Sequence, residues 1–129
     1  MDGQFTFSVD RANSLVRITM AGLFTRADVA AFVEARRAAH AELACAPNQH
    51  LTLNDLRGLK IQPQEIVAEF RTMLATPQYR SRKLAFVTAP TLARAQLMRA
   101  LGPRGVHCFD SVEAAEAWLL ADAEDAAAA

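Results

Sequence analysis

The stretch of the chain that decides the fold is FTFSVDRANSLVRITM, residues 5–20. Apolar and polar side chains alternate on both sides of a short polar segment within it, residues 10–13. Such alternation is typical of β-strands that bury one face. Two strands joined by a short polar loop predict an antiparallel β-hairpin at the start of the chain.

Helix and strand signals take turns after the hairpin. Thr25 precedes an apolar stripe in the position of a helix N-cap, and the first helix is predicted over residues 26–44. Strands are predicted at 51–55, 83–88 and 106–109, a loop at 56–60, and further helices at 63–76, at 91–101 and from 110 onwards. The order ββαβαβαβα predicts an α/β fold with a mainly parallel five-stranded sheet and an antiparallel first strand at one edge, because strands that alternate with helices are joined by crossovers.

The length and composition favour a soluble single-domain protein. The chain has 129 residues, of which 52% are hydrophobic and 22% charged, so it can bury a sizeable core. We expect one domain over residues 1–123 and a frayed alanine-rich tail over 124–129. A formal net charge of zero argues against nucleic-acid binding, and no apolar run is long enough for stable membrane insertion. Two cysteines and an N-terminus unlike a signal peptide predict reduced thiols and a cytoplasmic location.

The polar positions of the strands predict that helices cover only one face of the sheet. Those positions are Thr6, Ser8, Arg17, Thr19, Thr52, Asn54 and His107. The predicted core comprises Phe7, Ile18, Val33, Leu53, Phe70, Phe86, Val106 and Leu119.

Three apolar residues, Ala85, Val87 and Phe109, fall on the polar side of the predicted sheet. Either the last helix or a loop covers them, or they form a homodimer interface or a ligand-binding face. The first strand offers a second route to a homodimer, since it has no Lys or Pro to block edge pairing.

Four segments together resemble a known family. They are the opening hairpin, Gly22-Leu23-Phe24-Thr25-Arg26-Ala27-Asp28-Val29, Leu53-Asn54-Asp55-Leu56-Arg57-Gly58, and Val106-His107-Cys108-Phe109-Asp110-Ser111 with Trp118 and Leu119 beyond it. Over roughly residues 4–121 the chain resembles the STAS family of sulfate transporters and anti-sigma-factor antagonists. It is most similar to the stand-alone bacterial STAS/SEC14-like, or SpoIIAA-like, subgroup.

The resemblance implies a STAS-like fold and a non-enzymatic binding or regulatory module that acts through protein contact. The SEC14-like part of the subgroup implies an alternative, a carrier of a small lipid or nucleotide ligand. Regulatory members of the family carry a phosphorylatable Ser or Thr in an Asp-Ser-Ser-Gly-like motif at the start of the second long helix.

The residues aligned with that motif depart from it. Asp55 and Gly58 match its ends, so Leu56 and Arg57 occupy the hydroxyl positions. Neither side chain can accept a phosphate, and the usual phospho-switch is therefore not expected. Arg57 either contributes to an anion-binding spot near a helix start or pairs with Asp55 or a neighbouring surface acid.

Motifs for catalysis or metal binding are not found in the sequence. His40, His50 and His107 are scattered, and His107 and Cys108 are neighbours on a predicted strand, so their side chains point to opposite faces. The sequence has no nucleophile elbow, no dinucleotide-binding Gly motif and no Walker A motif. We therefore expect no enzyme activity, no metal and no cofactor.

The loops that leave the carboxyl ends of the strands form the expected functional surface, since open α/β sheets bind their ligands there. The candidate ligand- or partner-binding residues are Thr25, Asp55, Leu56, Arg57, Gly58, Thr88, Thr91, Asp110 and Ser111. The charged side chains are all basic over residues 70–104 and all acidic over 105–129. This asymmetry fits pairing between the third and last helices, or a basic flank that meets an acidic protein partner, an anionic ligand or a membrane surface.

Overall fold

A computed structural model of the chain describes residues 2–89, 91–101 and 107–121. The elements run in the order β1 (Gln4–Asp10), β2 (Leu15–Gly22), α1 (Arg26–Ala41), β3 (Leu51–Leu59), α2 (Gln64–Ala75), β4 (Lys83–Val87), α3 (Leu92–Leu101), β5 (His107–Phe109) and α4 (Val112–Leu120), with a 3₁₀ helix at Pro77–Tyr79. The strands form one sheet in the order β1-β2-β3-β4-β5. β1 pairs with β2 antiparallel, and all other neighbours pair parallel. The predicted α/β fold and its antiparallel edge strand are confirmed.

Local side-chain chemistry fixes the hairpin and the start of the first helix. In the hairpin turn, the side-chain amide of Asn13 donates to the Asp10 carboxylate at 2.8 Å. At the start of α1, the Thr25 hydroxyl accepts from the Asp28 backbone N–H at 3.1 Å, and the Asp28 carboxylate accepts from the Thr25 N–H at 2.9 Å. This reciprocal capping box satisfies two N–H groups that the helix itself leaves unpaired. α1 ends at Ala41 rather than at residue 44, because the chain turns out of the helix there.

β3 is longer than predicted, and this changes the meaning of the segment after Asp55. The strand continues to Leu59 because β2 pairs with it up to Gly22, through a register irregularity between Thr19 and Ala21. A Cβ at Gly58 would lie 2.9 Å from the Ala21 Cβ, so a glycine is needed for the two strands to approach. The predicted loop at 56–60 is therefore wrong. The next helix begins only at Gln64, and Arg57 does not lie at a helix start.

Helices cover both faces of the sheet over its central strands, which corrects the predicted one-faced arrangement. α1 and α2 pack on one face, with Phe32 and Ile66 in a core shared with Ile18 and Phe86. α4 packs on the other face over β3 and β4. The core on that side comprises Leu15, Leu51, Leu53, Ala85, Val87, Ala115 and Leu119. Thr52 and Asn54 were predicted to face away from the core, but they are buried on the α1 and α2 side.

The covering by α4 also decides between the two alternatives for the apolar trio. Ala85 and Val87 have no exposed surface, and Phe109 packs half-buried against Trp118 with ring centroids 5.7 Å apart. Ala85 and Val87 therefore belong to the interior, and the prediction that the trio forms a dimer interface on this face is wrong. The open part of the face is at β1 and β2, where side chains such as Thr6 and Thr19 are exposed.

Most of the predicted core is confirmed. Ile18, Leu53, Phe86 and Leu119 are buried, and Phe7 and Phe70 pack half-buried against the core. Val33 is 38% exposed, because its neighbour Phe32 takes the direction toward the sheet and successive helix residues point about 100° apart. Val106 and the tail lie outside the described residues. In the part of the chain that the structure describes, the helices are all too short or too polar to cross a membrane.

Candidate functional site

Gln62 joins three chain segments at the carboxyl edge of the sheet. It is 5% exposed and precedes α2. Its Oε1 accepts from the Phe24 N–H at 2.8 Å, and its Nε2 donates to the carbonyls of Gly22 and Lys60 at 3.0 and 2.5 Å. Its backbone N–H donates to Gln96 Oε1 at 2.9 Å, and Gln96 Nε2 donates back to the Gln62 carbonyl at 2.8 Å. The segments that follow β2 and β3 are thus fixed to each other and to α3.

Three apolar side chains project to solvent around this junction. Leu23 is 42% exposed, Ile61 50% and Leu92 73%. Leu23 lies between the two residues that Gln62 binds in the first segment, and Ile61 directly precedes Gln62. Leu92 lies one turn before Gln96 on the same side of α3, since helix residues four apart are neighbours. We call these three residues the apolar rim, and the segments that carry them are hydrogen-bonded to one another through Gln62.

Asp55 and Arg57 form an ion pair near the end of β3. Arg57 Nε lies 2.9 Å from Asp55 Oδ1, and Arg57 Nη2 lies 2.8 Å from Asp55 Oδ2. The two side chains can meet because residues two apart on a strand share a face. The hydrogen bonds from Arg57 lower the pKa of Asp55 below its ordinary value, although burial opposes them. Pairing of Arg57 with Asp55 is thereby confirmed, and the predicted anion-binding spot at a helix start is wrong because no helix begins there.

The chain is similar to known proteins at the level of solved structures. No protein-family model matches it, and no curated protein matches it. An uncharacterised DUF3478-family protein from Shewanella loihica PV-4, with a SpoIIAA-like fold, superposes with a TM-score of 0.69 at 13% sequence identity, covering 91% of this chain and 94% of that one. This chain has a SpoIIAA-like fold. An anti-sigma factor antagonist from Mycobacterium paratuberculosis superposes with a TM-score of 0.55 at 15% identity, covering 90% of this chain and 94% of that one. The resemblance to the STAS family is confirmed at the level of the fold.

Most of the predicted site residues of this SpoIIAA-like chain have structural roles, as helix caps, as core residues or at a close approach of two strands. Thr25, Thr91 and Ser111 cap α1, α3 and α4, accepting from the backbone N–H groups of Asp28, Arg94 and Ala114. Leu56 and Thr88 are buried, Gly58 allows the close approach of two strands, and Asp110 is exposed. Gln62 and the apolar rim were not predicted. The available signal was a glutamine placed between an apolar residue and Pro63, which by itself indicates only a helix start.

One of the acidic residues in the C-terminal part of this SpoIIAA-like chain forms an ion pair inside the fold. Glu116 of α4 accepts two hydrogen bonds from Arg17 of β2, at 3.0 and 3.2 Å. Asp10 also lies 3.8 Å from the Arg17 guanidinium. Within residues 2–89, 91–101 and 107–121, no ion pair joins α3 to α4. The charged contact that holds α4 to the sheet is therefore the pair of Glu116 with Arg17, and not the predicted pairing between α3 and α4.

A second polar cluster lies at the opposite, amino edge of the sheet. His50 is 2% exposed, and its Nε2 lies 3.2 Å from His40 Nε2 and 3.3 Å from Ser81 Oγ. His40 Nδ1 lies 2.9 Å from the Arg36 carbonyl oxygen, so that nitrogen donates its hydrogen to the carbonyl. In the described part of the chain no three His, Cys, Asp or Glu side chains come together as a metal site. The cluster thus joins α1 to β3 and to the segment before β4.

Proposed function

We propose that this chain is a cytoplasmic, non-enzymatic binding or regulatory module of the STAS-like type, which acts through protein contact at the carboxyl edge of its sheet. The observation that carries the proposal is the apolar rim, Leu23, Ile61 and Leu92, exposed around the buried Gln62 junction. A fold shared with an anti-sigma factor antagonist supports a role of this class. Cys45 and Cys108 are not joined in a disulfide, which fits a reducing compartment.

The rim has the physical properties of a contact surface. Apolar side chains grouped at one place on a surface gain free energy when a partner removes them from water. Gln62 satisfies its polar groups within the fold, so the three segments that carry the rim are ordered before a partner arrives. A preordered surface loses less conformational entropy on binding than a flexible one.

The proposed module has no phosphate switch of the usual kind. Leu56 is a core residue, and the guanidinium of Arg57 is engaged with Asp55. Regulation would then come from occupation of the edge by the partner, and from the concentrations of the two proteins.

The test is affinity capture from an extract of the organism that encodes the chain, with matched variants. Ile61→Asp and Leu92→Asp place a charge in the rim, and Leu120→Asp is the control, because Leu120 is 44% exposed at the far end of α4. We expect a protein that is retained by the wild-type chain and by Leu120→Asp but lost from both rim variants. Equal retention by all four folded proteins would exclude the rim as the contact surface.

The alternative of a small-ligand carrier rests on another observation, two of the three buried side-chain polar atoms that have no hydrogen-bond partner among the described residues. These are Asn54 Oδ1 and Thr88 Oγ1. Protein contact through the rim does not require them, so the two functions can be tested separately.

A further inference from the structure

The outer edge of β1 is open to a further strand. β1 is the first strand in the order of the sheet, and in the described part of the chain β2 is the strand that pairs with it. The backbone groups of an edge strand that point away from the sheet can hydrogen-bond to another strand. β1 is seven residues long and contains neither Lys nor Pro, so it can pair along its whole length.

The two faces of β1 have different side chains. Phe5 and Phe7 lie on the α1 side, with ring centroids 5.3 and 5.0 Å from that of Phe32, and both are only partly buried. Thr6 and Ser8 are exposed on the other face. A strand that pairs with β1 must match both faces, because a shift of one residue would place polar side chains opposite apolar ones.

A second copy of β1 meets this requirement in an antiparallel, two-fold arrangement. With the axis beside Phe7, Phe5 of each copy lies opposite Val9 of the other. Thr6 then lies opposite Ser8, so apolar residues meet apolar ones and hydroxyl residues meet each other. All seven residues of β1 are paired in this register.

The two neighbouring registers that also match the faces are less favourable. With the axis beside Thr6, Asp2 of one copy would lie opposite Asp10 of the other, and like charges directly opposite each other oppose pairing. With the axis beside Ser8, Gln4 would lie opposite the hairpin turn of the other copy, and the paired stretch would be shorter.

The register with its axis beside Phe7 brings opposite charges together instead. Gly3 of one copy lies opposite Arg11 of the other, so this Arg11 is next to Asp2. Asp2 and Arg11 are both exposed, and neither forms an ion pair among the described residues. Because the two-fold axis repeats the contact, the pair of copies gains it twice.

α1 does not obstruct such a contact. The Asp28 carboxylate accepts from the Gly3 N–H at 3.2 Å, and the Phe32 ring lies against the rings of β1, so this flank of α1 faces β1. Ala31 and Ala35 lie three positions beyond these two residues, on the same flank of the helix. Their short side chains leave room for α1 of a second copy.

We propose that two copies of this chain join through β1 in this register, so that their two five-stranded sheets become one ten-stranded sheet. The two-fold axis reverses the strands, and the carboxyl edges of the two copies therefore point in opposite directions. If the proposed function holds, on which this consequence rests, the dimer presents its two apolar rims at opposite edges and binds two partner molecules.

Sedimentation equilibrium of the full chain and of charge variants is the test. Asp2→Arg and Arg11→Asp each replace two attractive contacts with two repulsive ones, so each should raise the Kd of the dimer about tenfold. The double variant restores opposite charges, and its Kd should return to within about threefold of the wild-type value. Glu69→Arg, at an exposed position on α2, is the matched control and should leave the Kd unchanged.

Three results would overturn the proposal: a wild-type chain that stays monomeric up to about 100 μM, equal Kd values for Asp2→Arg and Glu69→Arg, or a double variant as weak as the single ones. Ile61→Asp should lose partner capture and keep the Kd of the dimer, so failure of the apolar rim and failure of the β1 contact are distinguishable. A dimer that Ile61→Asp dissociates and Asp2→Arg does not would show that the rim joins the copies.

Discussion

Acid is expected to destabilise this protein at the amino edge of its sheet, through His50. The side chain is buried, and its ring lies against that of His40, with ring centroids 4.7 Å apart. Burial, and then the charge on His40, lower the pKa of His50 from 6.5 to about 4. A hydrogen bond to the Tyr79 backbone opposes this shift without reversing it.

The sign of the effect follows from the lowered pKa. The folded chain binds the proton of His50 less tightly than the unfolded chain does. The stabilisation that comes from a neutral His50 is therefore complete above pH 6.5, and it is lost as the pH falls from there to about 4. The full loss is about 3 kcal/mol, and between about pH 7 and pH 5 it is about 2 kcal/mol.

The assay is urea unfolding of the wild-type chain and two variants at both pH values. His50→Gln removes the titrating group from the cluster. His107→Gln is the control, because His107 is exposed on β5. We expect the wild-type chain and His107→Gln to lose about 2 kcal/mol more on acidification than His50→Gln does. The absolute stability of His50→Gln does not enter the comparison, since only the change with pH is read.

Parallel loss of stability in all three proteins would refute this reasoning, because it would show that His50 titrates as it does in the unfolded chain. A smaller pH dependence in His107→Gln than in His50→Gln would refute it as well.

Three further predictions concern the core, the phosphate switch and the edge strand. Phe86→Ala should cost about 2–5 kcal/mol in urea unfolding, and Val33→Ala, at an exposed position, less than about 1 kcal/mol; similar losses would mean that the faces are wrongly assigned. Incubation with an anti-sigma-type kinase and ATP should leave residues 55–58 without phosphate in an intact-mass measurement, and a phosphate that depends on a residue of that segment would contradict this. β1 is an edge strand without Lys or Pro, and we propose that it pairs with a second copy to form a two-fold dimer. A chain that sediments as a monomer up to about 100 μM would exclude that dimer, because the free energy of association would then be weaker than about 5.5 kcal/mol.

Local signals in the sequence predicted the element order and much of the core. The alternation in residues 5–20 gave the hairpin, and the Thr25 and Asp28 pair gave the start of α1, because each depends on side chains a few positions apart. The departure of Leu56 and Arg57 from a hydroxyl motif was also visible in the sequence. The sequence did not show which face of β3 lies toward which helices, because Leu51 and Leu53 alternate with Thr52 and Asn54 in either orientation. Only the packing of α4 against Leu51 and Leu53 selects one orientation.

The amino-acid sequence by itself determined the order of the strands and helices, the antiparallel start and the caps, since these come from periodicity and from contacts between near neighbours. Only the tertiary structure decided that β3 continues to Leu59, that α4 covers the second face, and that Gln62 holds the apolar rim. Each of these depends on groups far apart in the chain, such as the Gln62 bond to Gln96 or the close approach of Gly58 to Ala21. Such contacts form only when the whole sheet and its helices are assembled, and no local pattern of residues encodes them.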